Sequence, residues 1–252
     1  MRPRGSGQAR QVGVAGSARA TALAGAALAG VLLGAIPADA APVRGRVAGL
    51  ETLLNPVWNE ARDVAAHRYT WREQSPTVLD KFRHLTASPG KEVCLVVFGE
   101  GAPPRETVPL RLGGGRTSPV TVVVAPGATI DLLNRDAFRH RPYIVNQPSF
   151  QASDIKAGEG RQWKVPGPGV YEVRDELFPS VRSWVVVEPN AVARTYPGAD
   201  GAFTFANLPP GDYTLRAYFN GAAVSAVRAI KVAEKPLELK DTLALEGKDK
   251  ER

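Results

Sequence analysis

Three histidines (His67, His84 and His140), one cysteine (Cys94) and an adjacent acid pair (Asp175-Glu176) are the side chains from which this sequence would build a metal centre or a nucleophilic site. The histidines show no H-E-x-x-H or comparable ligand spacing. On a strand, Asp175 and Glu176 point to opposite faces and cannot flank one substrate bond. No G-x-S-x-G elbow presents a serine nucleophile. Gly113-Gly114-Gly115-Arg116 lacks the Lys and Ser/Thr of a phosphate loop and reads as a link between two sandwiches. Cys94 sits in the apolar run from Val93 to Phe98, where a free thiol behaves as a small hydrophobe. These patterns point away from an enzyme. Contact chemistry remains: Trp58, Tyr69, Trp71 and Arg72 place rings beside a guanidinium, as protein and glycan contact patches do. The competing reading has Trp58 and Trp71 plugging a sandwich end under a short helix.

The elements that must carry these residues are strands. The chain holds 25 Gly and 21 Pro, which punctuate short runs of Val, Ile, Tyr and Phe, the pattern of a sandwich or barrel. Strands are predicted over 43–47, 93–98, 120–124, 129–134, 143–146, 161–165, 169–174, 183–188, 202–205, 212–219, 226–232 and 237–245. Only 77–85 has helical spacing, with Val78, Leu79, Phe82 and Leu85 on one face. Ala125-Pro126-Gly127 predicts a type II turn closing a hairpin between 120–124 and 129–133. Pro166-Gly167-Pro168-Gly169 and Pro209-Pro210-Gly211 predict two further tight connections, the second a hairpin. Phe203, Phe205, Tyr213 and Leu215 alternate as core-facing positions.

Arg2, Arg4, Arg10 and Arg19 precede an apolar stretch from Ala20 to Ile36 and the small-residue segment Pro37–Ala41, a secretory leader by pattern. Cleavage is expected near Ala40 or Ala41, giving a periplasmic or extracellular protein without a lipid anchor or a membrane span. Of the net charge of +7, the four leader arginines and Asp39 account for +3, leaving +4. That mild, mixed charge lacks the Lys/Arg stripe of a nucleic-acid binder. One cysteine allows no internal disulfide, so the fold must rest on its core.

Residues 121–144, with strand, Pro-Gly turn, strand, Asn134-Arg135-Asp136 and His140, resemble the first half of a cupredoxin of the methylamine-utilisation type. Pro168-Gly169 through Val181, followed by the strand Ser183–Val187, resembles the second half. The resemblance implies a Greek-key sandwich and a ligand set of two imidazoles, a thiolate and a thioether. At the matching positions stand His140, Asp175, Phe178 and Val181. Three of the four ligands are replaced, so the resemblance implies a lost copper site and no cofactor. Asp200-Gly201-Ala202-Phe203-Thr204-Phe205 and Leu208-Pro209-Pro210-Gly211-Asp212-Tyr213 resemble the carboxypeptidase regulatory-like, transthyretin-like module, whose first strand would be Val43–Val47. That fold is grouped with carbohydrate-binding-like sandwiches.

The expected organisation is a leader (1–40), prealbumin-like strands with a poorly matched insert (41–112), a cupredoxin-like domain (113–189), a carboxypeptidase regulatory-like part (190–245) and a charged tail (246–252). The expected fold class is all-β, with the one helix at 77–85. The expected function is non-catalytic: an envelope interaction or structural module that meets another envelope protein. The alternatives are a glycan-binding module, which needs an exposed set among Trp58, Trp71 and Trp184, or an electron-transfer protein with ligands around His140.

Overall fold

The computed structural model describes residues 40–53, 87–100 and 106–247. The chain divides into units 1–37 and 38–252, and every described residue belongs to the second. The leader up to residue 39, the helix expected at 77–85, the surface of Trp58, Tyr69, Trp71 and Arg72, and tail residues 248–252 lie outside the described residues.

The described chain is an all-β sandwich structure. In order it forms β1 (Ala41–Ala48), the four-residue helix α1 (Pro89–Glu92), β2 (Val93–Gly99), β3 (Thr107–Gly113), β4 (Arg116–Ser118), β5 (Thr121–Val124), β6 (Thr129–Asn134), β7 (Pro142–Ile144), β8 (Gly160–Lys164) and β9 (Gly169–Asp175). There follow β10 (Arg182–Val187), β11 (Ala191–Thr195), β12 (Ala202–Leu208), β13 (Gly211–Phe219), β14 (Ala222–Ala223), β15 (Arg228–Val232), β16 (Leu237–Glu238) and β17 (Leu243–Ala244). No helix among them is long and apolar enough to cross a membrane.

Four sheets make two sandwiches. In the first, β1 pairs antiparallel with β12 and parallel with β16 and β17, and faces the sheet β11-β2-β13-β14, to which β15 adds through β13. Val43, Val47, Val93, Leu95, Val97, Phe203, Phe205, Leu215 and Ile230 fill the space between them. In the second, the sheet β4-β3-β6-β8 faces β5-β10-β9-β7 over Leu110, Val122, Val124, Ile130, Leu132, Trp163, Val173, Val185 and Val187. Side chains alternate along a strand, so the neighbours of these residues point the other way. Cys94 and Val96 from β2, Val123 from β5 and Val186 from β10 therefore leave both cores and meet Ala191 and Tyr218 in a third apolar cluster. Strands apolar on both faces, as Val93–Val97 and Thr121–Val124 read in sequence, are the ones covered on both faces.

Several connections differ from their sequence reading. The turn at Pro126-Gly127 forms, with Gly127 at φ 85° and Ala128 N–H donating to Ala125 O at 3.3 Å, but β5 and β6 lie in opposite sheets. It is a corner across the sandwich rather than a hairpin, because both flanking strands turn an apolar face to the same core. The Pro209-Pro210-Gly211 connection likewise passes from β12 to β13 in the facing sheet, and Gly211 is not among the positive-φ residues. Small size is what this position uses: a Cβ there would stand 3.2 Å from the Tyr213 ring. The glycine run 113–115 does not join the sandwiches. It closes the β3–β4 hairpin, with Gly114 at φ 61° and Gly115 at φ 69°, the pair of left-handed residues that a type I′ turn requires. β3, β4, β11 and β14 have no counterpart among the predicted strands, and 237–245 forms only two short bridges to β1.

A closed His-Asp-Asp cluster at the loop end of the second sandwich

The ends of β6 and β9 and the β3–β4 turn meet at one end of the second sandwich. Asn134, the last residue of β6, is buried and organises the loop after it: its amide donates to Phe138 O at 2.7 Å and Ile155 O at 3.0 Å, and its Oδ1 accepts Asp136 N–H at 2.9 Å. Asp136 Oδ1 in turn accepts Gly114 N–H at 2.8 Å. His140 follows and is pinned by a two-bond bridge with Ile155, at 3.0 and 2.8 Å.

The His140 ring is fully buried, and both of its nitrogens face carboxylates. Nδ1 lies 3.1 Å from Asp175 Oδ2, and Nε2 lies 3.0 Å from Asp136 Oδ2. Asp175 ends β9 with both oxygens occupied: Oδ2 also accepts Arg141 N–H at 2.8 Å, and Oδ1 accepts Leu177 N–H at 2.8 Å and Phe178 N–H at 3.0 Å. The Phe178 ring packs 4.7 Å from the imidazole and 4.8 Å from Phe138. Val181 is buried, its N–H bonded to Phe178 O at 2.9 Å. The Gly114 N–H, helped by His140 and Gly115, holds the Asp136 carboxyl below its ordinary value although burial pushes the other way.

Of the four sequence-matched positions, the structure thus brings His140, Asp175 and Phe178 together, with Val181 buried beneath their loop. Copper does not fit this set. A mixed soft site needs a thiolate and free imidazole nitrogens. Here each nitrogen is engaged by a carboxylate, the thiolate position is an acid already bonded to three backbone N–H groups, and Phe178 has no lone pair. Among the described residues no group of three or more His, Cys, Asp or Glu is arranged to hold a metal. The buried ring also has no nitrogen facing solvent to accept a substrate proton.

Asp136 was the sequence's missed participant, visible only as part of Asn134-x-Asp136. Its i, i+4 spacing to His140 was the available signal. Cys94 is fully buried and its thiol is pushed up to about 11 by burial, which disfavours the thiolate. Trp184 is only 7 % exposed, with the Arg182 guanidinium 5.2 Å from its ring, so it belongs to no exposed aromatic platform. Phe203, Phe205, Tyr213 and Leu215 all point into the first core. The loop end itself is partly apolar outside: Phe138 is 44 % and Leu177 39 % exposed, beside the exposed Arg135, Arg139 and Arg141.

No family model matches this chain, and no curated protein matches it. Solved structures do. A reduced amicyanin variant is similar at 20 % identity over 32 % of this chain and 82 % of its own, with a TM-score of 0.29. A second reduced amicyanin variant is similar at 21 % identity over the same shares, with a TM-score of 0.30. A copper-containing nitrite reductase from Thermus scotoductus is similar at 20 % identity over 35 % of this chain and 23 % of its own, with a TM-score of 0.30.

Proposed function

We propose that this chain is a non-catalytic, exported interaction protein of the bacterial envelope. Its contact face is the loop end that carries Phe138 and Leu177. The observation that carries this reading is the Asp136–His140–Asp175 cluster. At the end of the sandwich where the resemblance would place copper, the polar groups bind one another, and what they support is an exposed aromatic face rather than an open ligand position. The leader pattern supports export. Exposed Phe and Leu suit a partner that is apolar at its centre and polar at its rim, the arginines beside them being paired already, Arg139 with Asp154 and Arg141 with Asp154 and Glu176.

A photo-crosslinking residue placed at position 138 of the protein expressed in its bacterial host tests this. Crosslinks to one envelope protein are expected, and they should vanish when the exposed Leu177 is changed to Asp. An absence of crosslinks, or retention of the protein in the cytoplasm, would overturn the reading, as would a blue thiolate-to-copper colour on adding copper to the purified protein.

A further inference from the structure

Beside β7, away from the closed cluster, an open groove of about 480 Å³ runs past Tyr143, Asn146, Gln147, Gln151 and Glu176. Its size falls within the roughly 300–1,000 Å³ of small-ligand sites. Its lining presents polar groups to solvent, Asn146 and Gln151 exposed and Gln147 half-buried. The side-chain amides of Asn146, Gln147 and Gln151 make no hydrogen bond to any described residue, while the backbone that carries them is well tied. Val145 N–H donates to Glu172 O at 2.9 Å, Gln147 N–H to Ile144 O at 3.1 Å and the Arg161 guanidinium to Gln151 O at 2.7 Å. Three amides are therefore presented on a fixed backbone, next to a half-buried tyrosine ring and a carboxylate.

We infer that this groove binds an uncharged oligosaccharide. Each amide offers a donor and an acceptor side by side, which matches vicinal hydroxyls, and Glu176, whose Oε2 is held by Arg141, accepts a hydroxyl through its other oxygen. The Tyr143 ring supplies an apolar face for a pyranose. Charge argues against an anionic ligand, since the groove is lined by no cation and the guanidinium paired with its Glu176, that of Arg141, is already bound to Asp154 at 3.2 Å as well as to Glu176 at 3.4 Å. A peptide added as a strand is a poorer occupant: β7 offers three residues of edge and begins with Pro142, which has no N–H to give. The site uses none of the tryptophans that the sequence suggested for glycan contact, and it goes beyond the Phe138 face, so either can fail alone.

Calorimetric titration of the purified chain with maltohexaose, cellohexaose and chitohexaose tests the inference. Saturable binding of at least one is expected, weakened about tenfold or more by Tyr143→Ala and by Gln147→Ala, the cost of losing a stacking face or a bidentate partner. Gln151→Ala serves should Tyr143→Ala not fold, and Phe138→Asp should leave sugar binding unchanged. Failure of all three sugars to bind below about 10 mM, or affinity untouched in folded variants of Gln147 and Gln151, overturns it.

Discussion

Asp175 does the work of several residues. One carboxylate accepts three backbone N–H groups and faces a buried imidazole, so its removal would leave four polar groups without partners in a dry loop end. Asp175→Ala should cost about 3 kcal/mol, the upper part of the range for leaving buried polar groups unsatisfied, read as a lowered denaturant midpoint. Asp136 carries the acid sensitivity. Its folded carboxyl titrates below its ordinary 3.8, so its contribution to stability is complete above that value and is lost as the pH falls through the lower folded value. In Asp136→Asn that contribution is absent at every pH. The curve of stability against pH should be lower at neutral pH and flatter below about pH 4 than in the parent. An equal acid slope in both proteins would contradict this assignment.

At the scale of elements, two corners share one device. Tyr171 and Tyr213 each follow a Pro-Gly pair by two residues, and each hydroxyl donates back to the carbonyl four residues upstream, Gly167 O and Pro209 O, both at 2.9 Å. Both corners carry the chain from one sheet to its facing sheet, and the tyrosine ties the corner down as it does in other sandwiches. Tyr171→Phe and Tyr213→Phe should each cost about 1 kcal/mol, the net worth of one hydrogen bond. Because they sit in different sandwiches, the double variant should lose their sum in a thermal melt. The recurrence of Pro-Gly-x-Tyr was legible in sequence but reads as turn chemistry alone until the facing sheets are seen. Other elements were harder. β3 contains Pro109, which demotes a run to a non-strand by rule, yet β4 covers only Arg111–Gly113 and leaves Pro109 at an edge. The continuous apolar runs of β2, β5 and β10 were plain as strands buried on both faces, whereas the identity of what covers the second face, the other sandwich, is reported by no local pattern. The cluster around His140 was hidden for the same reason, since Asp136 and His140 on the loop after β6 meet Asp175 at the end of β9 only across the sandwich end.

For the whole molecule, the third apolar cluster decides cooperativity. Cys94, Val96, Val123 and Val186 belong to strands whose other faces fill the two cores, so neither sandwich can lose its order without exposing the shared layer. The ion pair of Arg194 with Glu106 adds a polar tie between β11 of the first sandwich and the residue preceding β3 of the second. Val123→Ala should lower stability by about 1–3 kcal/mol through lost apolar burial and a residual cavity. It should do so equally for probes in either core, such as Trp163 fluorescence and amide exchange along β13, because both report one transition. Two separated transitions in the variant would show that the sandwiches melt independently.

The way β1 is partnered also sets an order in time. Its neighbours are β12, β16 and β17, which begin at residues 202, 237 and 243, while β3 to β10 find every ladder partner within residues 107–187. A chain that emerges from a pore amino end first would present β1 and β2 long before the strands that cover them. The second sandwich can close as soon as β10 has passed, since its loops are short to join. The first must wait, with Val43, Val47 and the apolar run from Val93 to Val97 open to water and to any chain that would pair with their edges. For a chain delivered in that order, the hazardous interval ends only when the last strands arrive and pair alongside the first.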